Sequence, residues 1–208
     1  MNVILDYDVG NLDSVQRGFE RAGIPTIISK DKKIISKATS LILPGVGAFG
    51  DAMEALKKSG LIPLILEHVN QKKFLFGICL GMQLLYERGY EYGTHDGLGI
   101  LKGDVVYLDI ALKVPHMGWN SLSFVKNDPL LKFIKEEDQV YFVHSYYVVS
   151  DGDEYLATTE YGVRIPAIVR KGNVIATQFH PEKSGIVGAN ILKAYEEVIR
   201  WLSILQSI

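Results

Sequence analysis

Short apolar runs alternate with stretches of helical periodicity in the first half of the chain. Strands are predicted at residues 2–6, 24–29, 40–43 and 73–78. Helices are predicted around residues 12–22 and at 49–58, 61–70 and 81–87. This alternation is typical of a parallel sheet covered by helices on both faces. The pattern therefore predicts a doubly wound α/β fold with a mostly parallel sheet and flanking helices.

The second half has shorter apolar runs that are separated by turn-forming residues. Strands are predicted at residues 97–109, 120–125, 139–150, 154–160, 165–170 and 174–179. The dipeptides Gly152-Asp153 and Gly172-Asn173 resemble hairpin turns, so additional antiparallel strands are expected here. A final helix begins near Ser184, a suitable N-cap residue. Its predicted buried face comprises Leu192, Tyr195, Val198, Ile199, Leu202 and Leu205.

Composition is that of a globular chain. The 208 residues are 48% hydrophobic and 22% charged, and no repeat or linker divides them, so residues 1–208 are predicted to form one domain. A net charge of −2 provides no basic surface for nucleic acid or an anionic membrane. No apolar run approaches the ~18 residues that a membrane span needs.

The cysteine content limits the chemistry further. Cys79 is the only cysteine, which excludes an intramolecular disulfide and zinc sites built on two cysteines. A free thiol and an N-terminus without a basic region predict a cytoplasmic protein without a signal peptide. We predict no metal site and no cofactor.

The strongest local motif is Gly77-Ile78-Cys79-Leu80-Gly81, where a buried strand turns directly into a helix. This is the pattern of a nucleophile elbow with cysteine in place of serine. Small residues two positions to either side allow the strand and the helix to pack closely around the nucleophile. The alternative is that Cys79 is a small buried hydrophobic residue.

A thiol nucleophile needs a base, and the base needs an orienting group. His180-Pro181-Glu182 follows the predicted strand 174–179. Because the carboxyl ends of parallel strands share one edge of a sheet, Cys79 and His180 are expected to meet there. Glu182 can then orient the imidazole. Taken alone, the motif is equally a polar turn before a helix.

A third strand end carries Pro44-Gly45-Val46-Gly47. Glycines allow the backbone to approach a bound group, and their N–H groups can stabilise an oxyanion. A simple turn is the alternative. Among the other histidines, His68 and His95 are expected to be solvated, while His116 and His144 lie near aromatic residues, which favours packing or backbone-orienting roles.

Two motifs together resemble the class I, triad-type glutamine amidotransferases. They are Gly-Ile-Cys-Leu-Gly-Met-Gln at 77–83 and Gln-Phe-His-Pro-Glu-Lys-Ser at 178–184. The segments Pro-Gly-Val-Gly-Ala-Phe at 44–49 and Pro-His-Met-Gly-Trp-Asn at 115–120 resemble the branch that supplies ammonia for histidine biosynthesis. The resemblance implies an enzyme that hydrolyses glutamine to glutamate and ammonia.

The resemblance also implies roles for individual residues. Cys79 would be the nucleophile, His180 the base and then the acid, and Glu182 the orienting group. Gly45, Val46 and Gly47 would form the oxyanion loop. Substrate glutamine would be bound by the side chains of Gln83 and Glu91 and by the main chain of His144, Ser145 and Tyr146.

Ammonia must be consumed nearby, and the resemblance implies a separate (β/α)8 cyclase subunit that receives it through a channel. Such a barrel needs about 250 residues of its own, so a heterodimer is expected. The cyclase would make imidazole glycerol phosphate and AICAR. Positions that would face this partner are Asn11, Ser14, Trp119, Tyr141 and Lys183. For Asn11 and Ser14, helix capping is an equal alternative.

Three rival functions stay open on sequence grounds. A glutaminase partner of pyridoxal phosphate synthase would typically carry Gly-Gly-Glu-Ser in the oxyanion loop, where this chain has Pro-Gly-Val-Gly. A non-catalytic module on the same fold would need a damaged triad. Cysteine proteases and hydrolases share the elbow, but they do not account for the segment around Trp119.

Overall fold

The computed structural model describes the backbone of residues 1–205 and the side chains as far as residue 201. The strands are β1 (Asn2–Leu5), β2 (Thr26–Ser29), β3 (Ser40–Leu43), β4 (Phe74–Ile78), β5 (Arg88–Gly89), β6 (His95–Asp96), β7 (Asp104–Tyr107), β8 (His116–Ser121), β9 (Ser123–Phe124), β10 (Gln139–His144), β11 (Tyr146–Val149), β12 (Tyr155–Glu160), β13 (Arg164–Lys171) and β14 (Val174–Thr177). The α-helices are α1 (Leu12–Arg21), α2 (Lys32–Ser36), α3 (Phe49–Ser59), α4 (Ile62–Asn70), α5 (Leu80–Gln83) and α6 (Gly185–Leu205).

The central sheet has the strand order β2-β1-β3-β4-β14-β13-β12-β9. Strands β2, β1, β3, β4 and β14 run parallel to one another, whereas β13, β12 and β9 extend the sheet beyond β14 with antiparallel pairs. The predicted α/β fold class, a mostly parallel sheet with added antiparallel strands, is therefore confirmed. The carboxyl ends of β3, β4 and β14 lie side by side at one edge.

Strand β4 shows how the sheet builds a core on both faces. Its residues alternate between faces: Phe76 stacks on Tyr195 of α6, with ring centroids 4.6 Å apart, while Leu75 joins the cluster that contains Leu56 of α3 and Ile65 of α4. Each such buried side chain stabilises the fold by about 1.5–3 kcal/mol. A nearly continuous apolar run is therefore required of a strand that is covered on both sides.

Two smaller sheets are separate from the central sheet. Strand β8 pairs antiparallel with β10, and a second sheet has the order β11-β7-β5-β6. The predicted strand at 139–150 is thus two strands in two sheets, separated at Ser145. The predicted strand at 97–109 is reduced to β7. The strand predicted at 120–125 is divided between the end of β8, which begins at His116, and β9, which pairs with β12 in the central sheet.

Differences among the helices have local causes. Helix α2 was not predicted, because its five residues are too few to display a period. Helix α5 ends at Gln83 instead of continuing to residue 87. Among the described residues, no helix combines the length and apolar character that crossing a membrane requires.

Helix α6 begins close to the predicted position. Ser184 lies just before it, but its hydroxyl donates to the His180 carbonyl at 2.7 Å and accepts from the Tyr141 N–H at 3.0 Å. It therefore connects the helix start to the segment that carries His180. The predicted face is buried at Leu192, Tyr195, Val198 and Ile199. The side chains of Leu202 and Leu205 lie outside the described residues.

The expectation that His68 is solvated is wrong, and the same expectation for His95 is correct only in part. His68 in α4 is 4% exposed, and its Nε2–H donates to the Phe74 carbonyl at 2.9 Å, because this side of α4 packs against β4. His95 is half-buried, and its ring lies over Gly50 in α3, where a Cβ would come within 2.6 Å of it.

His68 makes the stability of the protein pH-dependent. Burial, partly opposed by the bond to Phe74, lowers the pKa of His68 to about 4, whereas an unfolded histidine has a pKa near 6.5. Below about pH 6.5 the unfolded chain binds a proton that the folded chain excludes, so stability falls as the pH falls toward 4. In His68→Gln the amide can replace the Nε2–H donor but does not titrate. Between pH 7 and 4, the wild type should lose on the order of 2–3 kcal/mol of unfolding free energy through His68, and the variant should avoid this loss. Urea unfolding measures the difference, and equal losses in both proteins would contradict the prediction.

Candidate active site

The backbone turns sharply at Cys79, between β4 and α5. Its φ is +55° and its ψ is −112°, a conformation that a residue with a side chain adopts at a cost on the order of 1–3 kcal/mol. The flanking glycines make the turn possible. A Cβ on Gly81 would lie 1.9 Å from the Leu43 carbonyl oxygen, and one on Gly77 would lie 2.8 Å from the Gly81 carbonyl oxygen. The strand and the turn can approach each other this closely only with glycine at both positions.

The sheet brings His180 to the same edge. Strands β4 and β14 are parallel, with Ile78 opposite Thr177, so the chain leaves both strands beside Cys79. The His180 N–H donates to the Tyr141 carbonyl at 3.0 Å, which holds this segment against β10. Cys79 and His180 line one cavity. Their predicted meeting is therefore present in the structure.

Glu182 completes a buried constellation. Its Oε1 is 2.8 Å from Nδ1 of His180, and the two residues are 7% and 4% exposed. Pro181 lies between them and begins the 3₁₀ turn Pro181–Lys183. Since a carboxylate only accepts hydrogen bonds, Nδ1 carries the proton and Nε2 is the ring nitrogen that is free to exchange a proton with a neighbour.

The electrostatics of the pair favour a charged imidazole. Burial alone would lower the pKa of His180, but hydrogen bonding and charge interaction with the Cys79 sulfur and the Glu182 carboxylate outweigh it and raise the pKa to about 10. The arrangement therefore holds a charged imidazolium beside the Cys79 sulfur.

Helix α1 packs against Cβ and the main chain of Glu182, a contact that the sequence motifs do not reveal. A Cβ on Gly18 would lie 2.4 Å from Cβ of Glu182, so only glycine admits this contact. Arg21 donates to the Glu182 main-chain carbonyl at 2.6 Å. Oε2 of Glu182 is buried and has no hydrogen-bond partner within the described part of the chain.

The sulfur and the imidazole open into a cavity of about 400 Å³. Its lining includes every residue for which a substrate-binding role was predicted: Gln83, Glu91, His144, Ser145 and Tyr146. Val46 and Gly47 also line it. This volume is suited to a small, polar molecule of amino-acid size.

The predicted oxyanion loop lies between β3 and α3 at the cavity rim. Gly45 packs on the elbow, since a Cβ there would lie 2.9 Å from the Gly81 nitrogen. Gly47 has a φ of +92°, which favours glycine. Val46 is 47% exposed. The Tyr7 hydroxyl donates to the Pro44 carbonyl at 2.6 Å and so anchors the start of the loop.

Two of the substrate-binding candidates are also bound to the protein itself. Gln83 donates through Nε2 to the Tyr146 carbonyl at 2.9 Å and to Oε1 of Gln178 at 3.0 Å. Oε2 of Glu91 accepts from the N–H of Phe49 at 2.8 Å, the first residue of α3. Both side chains are thus held in place before any ligand binds.

Gln178 is a site residue that the motif analysis missed. It is fully buried, and its Nε2 is 3.9 Å from the Cys79 sulfur, where an amide N–H can stabilise a thiolate. A signal was available, because Gln178 stands two residues before His180 in the same motif.

The predicted partner-facing residues lie on the surface or beside it. Trp119 is 55% exposed and stands edge-on to Tyr141, with ring centroids 6.1 Å apart, and Lys183 is exposed. Asn11 is exposed too, and its side chain accepts from the Ser14 N–H at 3.2 Å. The capping alternative for these two residues is therefore correct as local structure.

Within the residues that the structure describes, no group of three histidine, cysteine or acidic side chains is placed to hold a metal ion. His116 and His144 instead pack among aromatic rings.

Solved structures share this fold at low sequence identity. A structure described as a glutamine amidotransferase superposes with a TM-score of 0.73 at 22% identity, covering 95% of this chain and 97% of that one. The structure of PurLQS from Thermotoga maritima gives a TM-score of 0.73 at 20% identity, covering 97% and 98%. At this identity the likeness concerns the fold alone.

Sequence relatives are much closer. The model of the family glutamine amidotransferase class-I matches residues 3–194. Imidazole glycerol phosphate synthase subunit HisH of Lactococcus lactis subsp. lactis (strain IL1403) is 54% identical over 198 residues, which cover 95% of this chain and 98% of that protein. The subunit of the same name from Caldanaerobacter subterraneus subsp. tengcongensis is 50% identical over 200 residues, covering 96% and 98%. The chain belongs to the class-I glutamine amidotransferase family, and within it to the HisH subunits of imidazole glycerol phosphate synthase.

Proposed function

We propose that this chain, acting as a single glutaminase domain, hydrolyses glutamine and passes the ammonia to a separate cyclase subunit for histidine biosynthesis. The observation that carries the proposal is the buried Cys79–His180–Glu182 constellation, which opens into a cavity of amino-acid size. An intact constellation argues against a non-catalytic module. The family membership supports the ammonia-supplying role over unrelated cysteine hydrolases.

The chemistry begins at the sulfur. The Cys79 thiolate attacks the side-chain amide carbon of glutamine, and the carbonyl electrons move onto oxygen. N–H groups of the loop Gly45–Gly47 stabilise this oxyanion, with roughly 3–4 kcal/mol per donor. When the C–N bond breaks, the His180 imidazolium protonates the leaving nitrogen, which departs as ammonia. A γ-glutamyl thioester and a neutral imidazole remain.

The second half of the reaction restores the enzyme. His180 takes a proton from water, and the hydroxide adds to the thioester carbon. Collapse of this intermediate breaks the C–S bond and releases glutamate, with the thiolate and imidazolium regenerated. Glu182 keeps the proton on Nδ1 of His180 throughout, so that Nε2 performs both transfers.

The cavity walls supply complementary groups for the other end of glutamine. The Glu91 carboxylate matches the charged α-amino group, and main-chain N–H groups around Ser145 and Tyr146 match the α-carboxylate. Gln83 adds an amide beside them. Such fixed polar groups would favour glutamine over simple amides.

The exposed surface around Trp119, Tyr141 and Lys183, with Asn11 and Ser14 at the start of α1, is the proposed docking face for the cyclase. We infer a heterodimer with a (β/α)8 barrel that converts the ammonia into imidazole glycerol phosphate and AICAR. A channel across this face would protect ammonia from protonation and loss in the cytoplasm, where we place the complex.

Reconstitution with the cyclase tests the function. Synthesis should require this chain when glutamine is the nitrogen donor, and should proceed without it when ammonium is supplied at high pH. The two nitrogen sources provide an internal control, since the same cyclase consumes both. Glutamine-dependent synthesis without this chain, or none with it, would overturn the proposal.

A separate prediction concerns how the pair of Glu182 and His180 makes stability depend on pH. Because its pKa is raised from about 6.5 to about 10, His180 contributes stability that is complete below pH 6.5 and is lost as the pH rises through 10. Glu182→Gln removes the charge that helps to raise this pKa. We expect the loss in urea-unfolding free energy between pH 6.5 and 10 to become smaller and to be complete at lower pH.

The same substitution should lower glutamine hydrolysis by about 100-fold or more, within the usual contribution of general acid–base catalysis. Glu20→Gln is a matched control, since Glu20 is an exposed carboxylate on α1. An alkaline stability profile that is identical in wild type and Glu182→Gln would show that the carboxylate does not hold the imidazolium.

A further inference from the structure

Two buried histidines, His144 and His116, lie at and behind the cavity wall. Nδ1 of His144 is 2.9 Å from the Tyr146 carbonyl oxygen, and its Nε2 is 3.0 Å from Nδ1 of His116. Both residues are buried, at 6% and 2% exposure. His144 lines the cavity directly, whereas His116 lies one layer further out in β8.

The hydrogen-bond partners determine both tautomers. A carbonyl only accepts, so Nδ1 of His144 carries the proton and its Nε2 is an acceptor. Nδ1 of His116 must therefore be the donor to it, which leaves Nε2 of His116 as an acceptor. Asn120 meets this need with Nδ2 at 3.4 Å, and the same Nδ2 also donates to the Glu160 carbonyl at 3.0 Å. The amide orientation is independently determined, since Oδ1 of Asn120 accepts from the Ser121 N–H at 2.9 Å.

Packing keeps this arrangement neutral and rigid. The His116 ring is sandwiched between Phe142 and Tyr161, with centroid separations of 4.7 and 4.0 Å. Burial lowers the pKa of His116 to about 4, and burial with its neighbours lowers the pKa of His144 to about 3. Near neutral pH, each hydrogen bond in this series is therefore donated in the same direction, from Asn120 to His116, from His116 to His144 and from His144 to the Tyr146 carbonyl.

The same carbonyl connects the histidines to the nucleophile. Tyr146 O also accepts from Gln83 at 2.9 Å, Gln83 donates to Gln178 at 3.0 Å, and Gln178 approaches the Cys79 sulfur at 3.9 Å. With two donors on one carbonyl, both lone pairs are used. The orientation of this peptide then controls the cavity wall and the two amides beside the sulfur.

We propose that His116 and His144 are positioning residues for glutamine hydrolysis, acting as a one-way hydrogen-bond relay that fixes the Tyr146 carbonyl and, through Gln83 and Gln178, the Cys79 sulfur. The proposal rests on the glutaminase function proposed above and adds residues to that same site. Neither histidine exchanges a proton with the substrate. Their effect is to hold geometry that the chemical step requires, where a small misplacement is costly.

Two substitutions at His116 separate the hydrogen bond from the packing. His116→Phe keeps a ring between Phe142 and Tyr161 but removes the donor. His116→Asn loses the ring but can offer an amide N–H close to the position of Nδ1. In complexes with the cyclase, we expect His116→Phe to reduce kcat/KM for glutamine about tenfold, the effect of one lost buried hydrogen bond, mainly through kcat. His116→Asn should recover most of this loss, and ammonium-dependent synthesis should be unchanged in both.

A spectroscopic readout tests the relay in the wild type. In ¹⁵N-histidine-labelled protein at neutral pH, both His116 and His144 should carry their proton on Nδ1. Either residue protonated on Nε2 instead would overturn the relay. Thr159→Val is the matched mutational control, because the buried Thr159 hydroxyl has no hydrogen-bond partner within the described part of the chain; its glutamine kinetics should equal those of the wild type.

The outcomes are distinct from failure of the proposed function. A wild-type complex that does not use glutamine refutes the glutaminase proposal itself. An active wild type, with His116→Phe kinetics equal to those of wild type or with no recovery in His116→Asn, refutes only the relay. If His116→Phe does not fold, Asn120→Ala replaces it: a two- to threefold loss in kcat supports the relay, and unchanged kinetics contradict it.

Discussion

Substitution of Cys79 by alanine is expected to abolish glutamine-dependent synthesis while leaving ammonium-dependent synthesis intact. Removal of the nucleophile eliminates the thioester path, and the remaining groups cannot activate water well enough to replace it. Losses of at least about 1000-fold are usual when a nucleophile is removed. The measurement is glutamate release and product formation by the complex with the cyclase, with each nitrogen source in turn.

Cysteine labelling gives this prediction a second, independent readout. Cys79 is the only cysteine in the chain. In the complex, a glutamine-like electrophile should therefore increase the mass of the wild-type chain by that of one reagent molecule and leave the mass of Cys79→Ala unchanged. Cys79→Ser is the conservative comparison, since it retains size but exchanges thiolate for a poorly ionised hydroxyl. Glutamate release that survives Cys79→Ala would refute the assignment of the nucleophile.

The second large effect is structural: Gly81→Ala should destabilise the fold by about 3 kcal/mol or more, at the upper end of overpacking substitutions. The added Cβ would lie 1.9 Å from the Leu43 carbonyl oxygen, and a buried backbone cannot move aside as a flexible side chain can. Either β3 separates from the elbow or the turn at Cys79 changes. Glutamine hydrolysis should therefore fall together with the free energy of unfolding, measured in urea.

Gly172→Ala is the matched control for this substitution. Gly172 has a φ of +61° and no atom within 4 Å of an added Cβ, so alanine there costs only the left-handed conformation, about 1–2 kcal/mol. It lies in the turn between β13 and β14, away from the cavity lining. Equal destabilisation by the two substitutions would show that the close contact at Gly81 is not important.

The main elements of the site could be predicted because their signals are local. Five consecutive residues, 77–81, specify the elbow, since each glycine is required by a contact within the same turn or with the adjacent strand. His180 and Glu182 are two apart and need only the short turn between them. The general rule that parallel strands end at one edge then brought these two segments together across about a hundred residues.

Other features were missed because they depend on contacts between distant segments. His68 looks polar in its helix, and only the packing of α4 on β4 buries it. Strand 139–150 reads as one apolar run, and only pairing with different partners separates β10 from β11 at Ser145. Gly18 and Arg21 of α1 contact Glu182, which lies some 160 residues further along the chain. No sequence pattern near either segment indicates this contact.

The amino-acid sequence by itself determined the fold class and the family, and it predicted the candidate catalytic groups. These follow from periodicity and from short motifs, in which the physical constraint acts between neighbours in the chain. Tertiary structure alone decided which charges are stabilised, which tautomers the buried histidines adopt and how Gln178 reaches the sulfur. Those properties depend on burial and on hydrogen-bond partners supplied by other strands, and neither exists until the chain has folded.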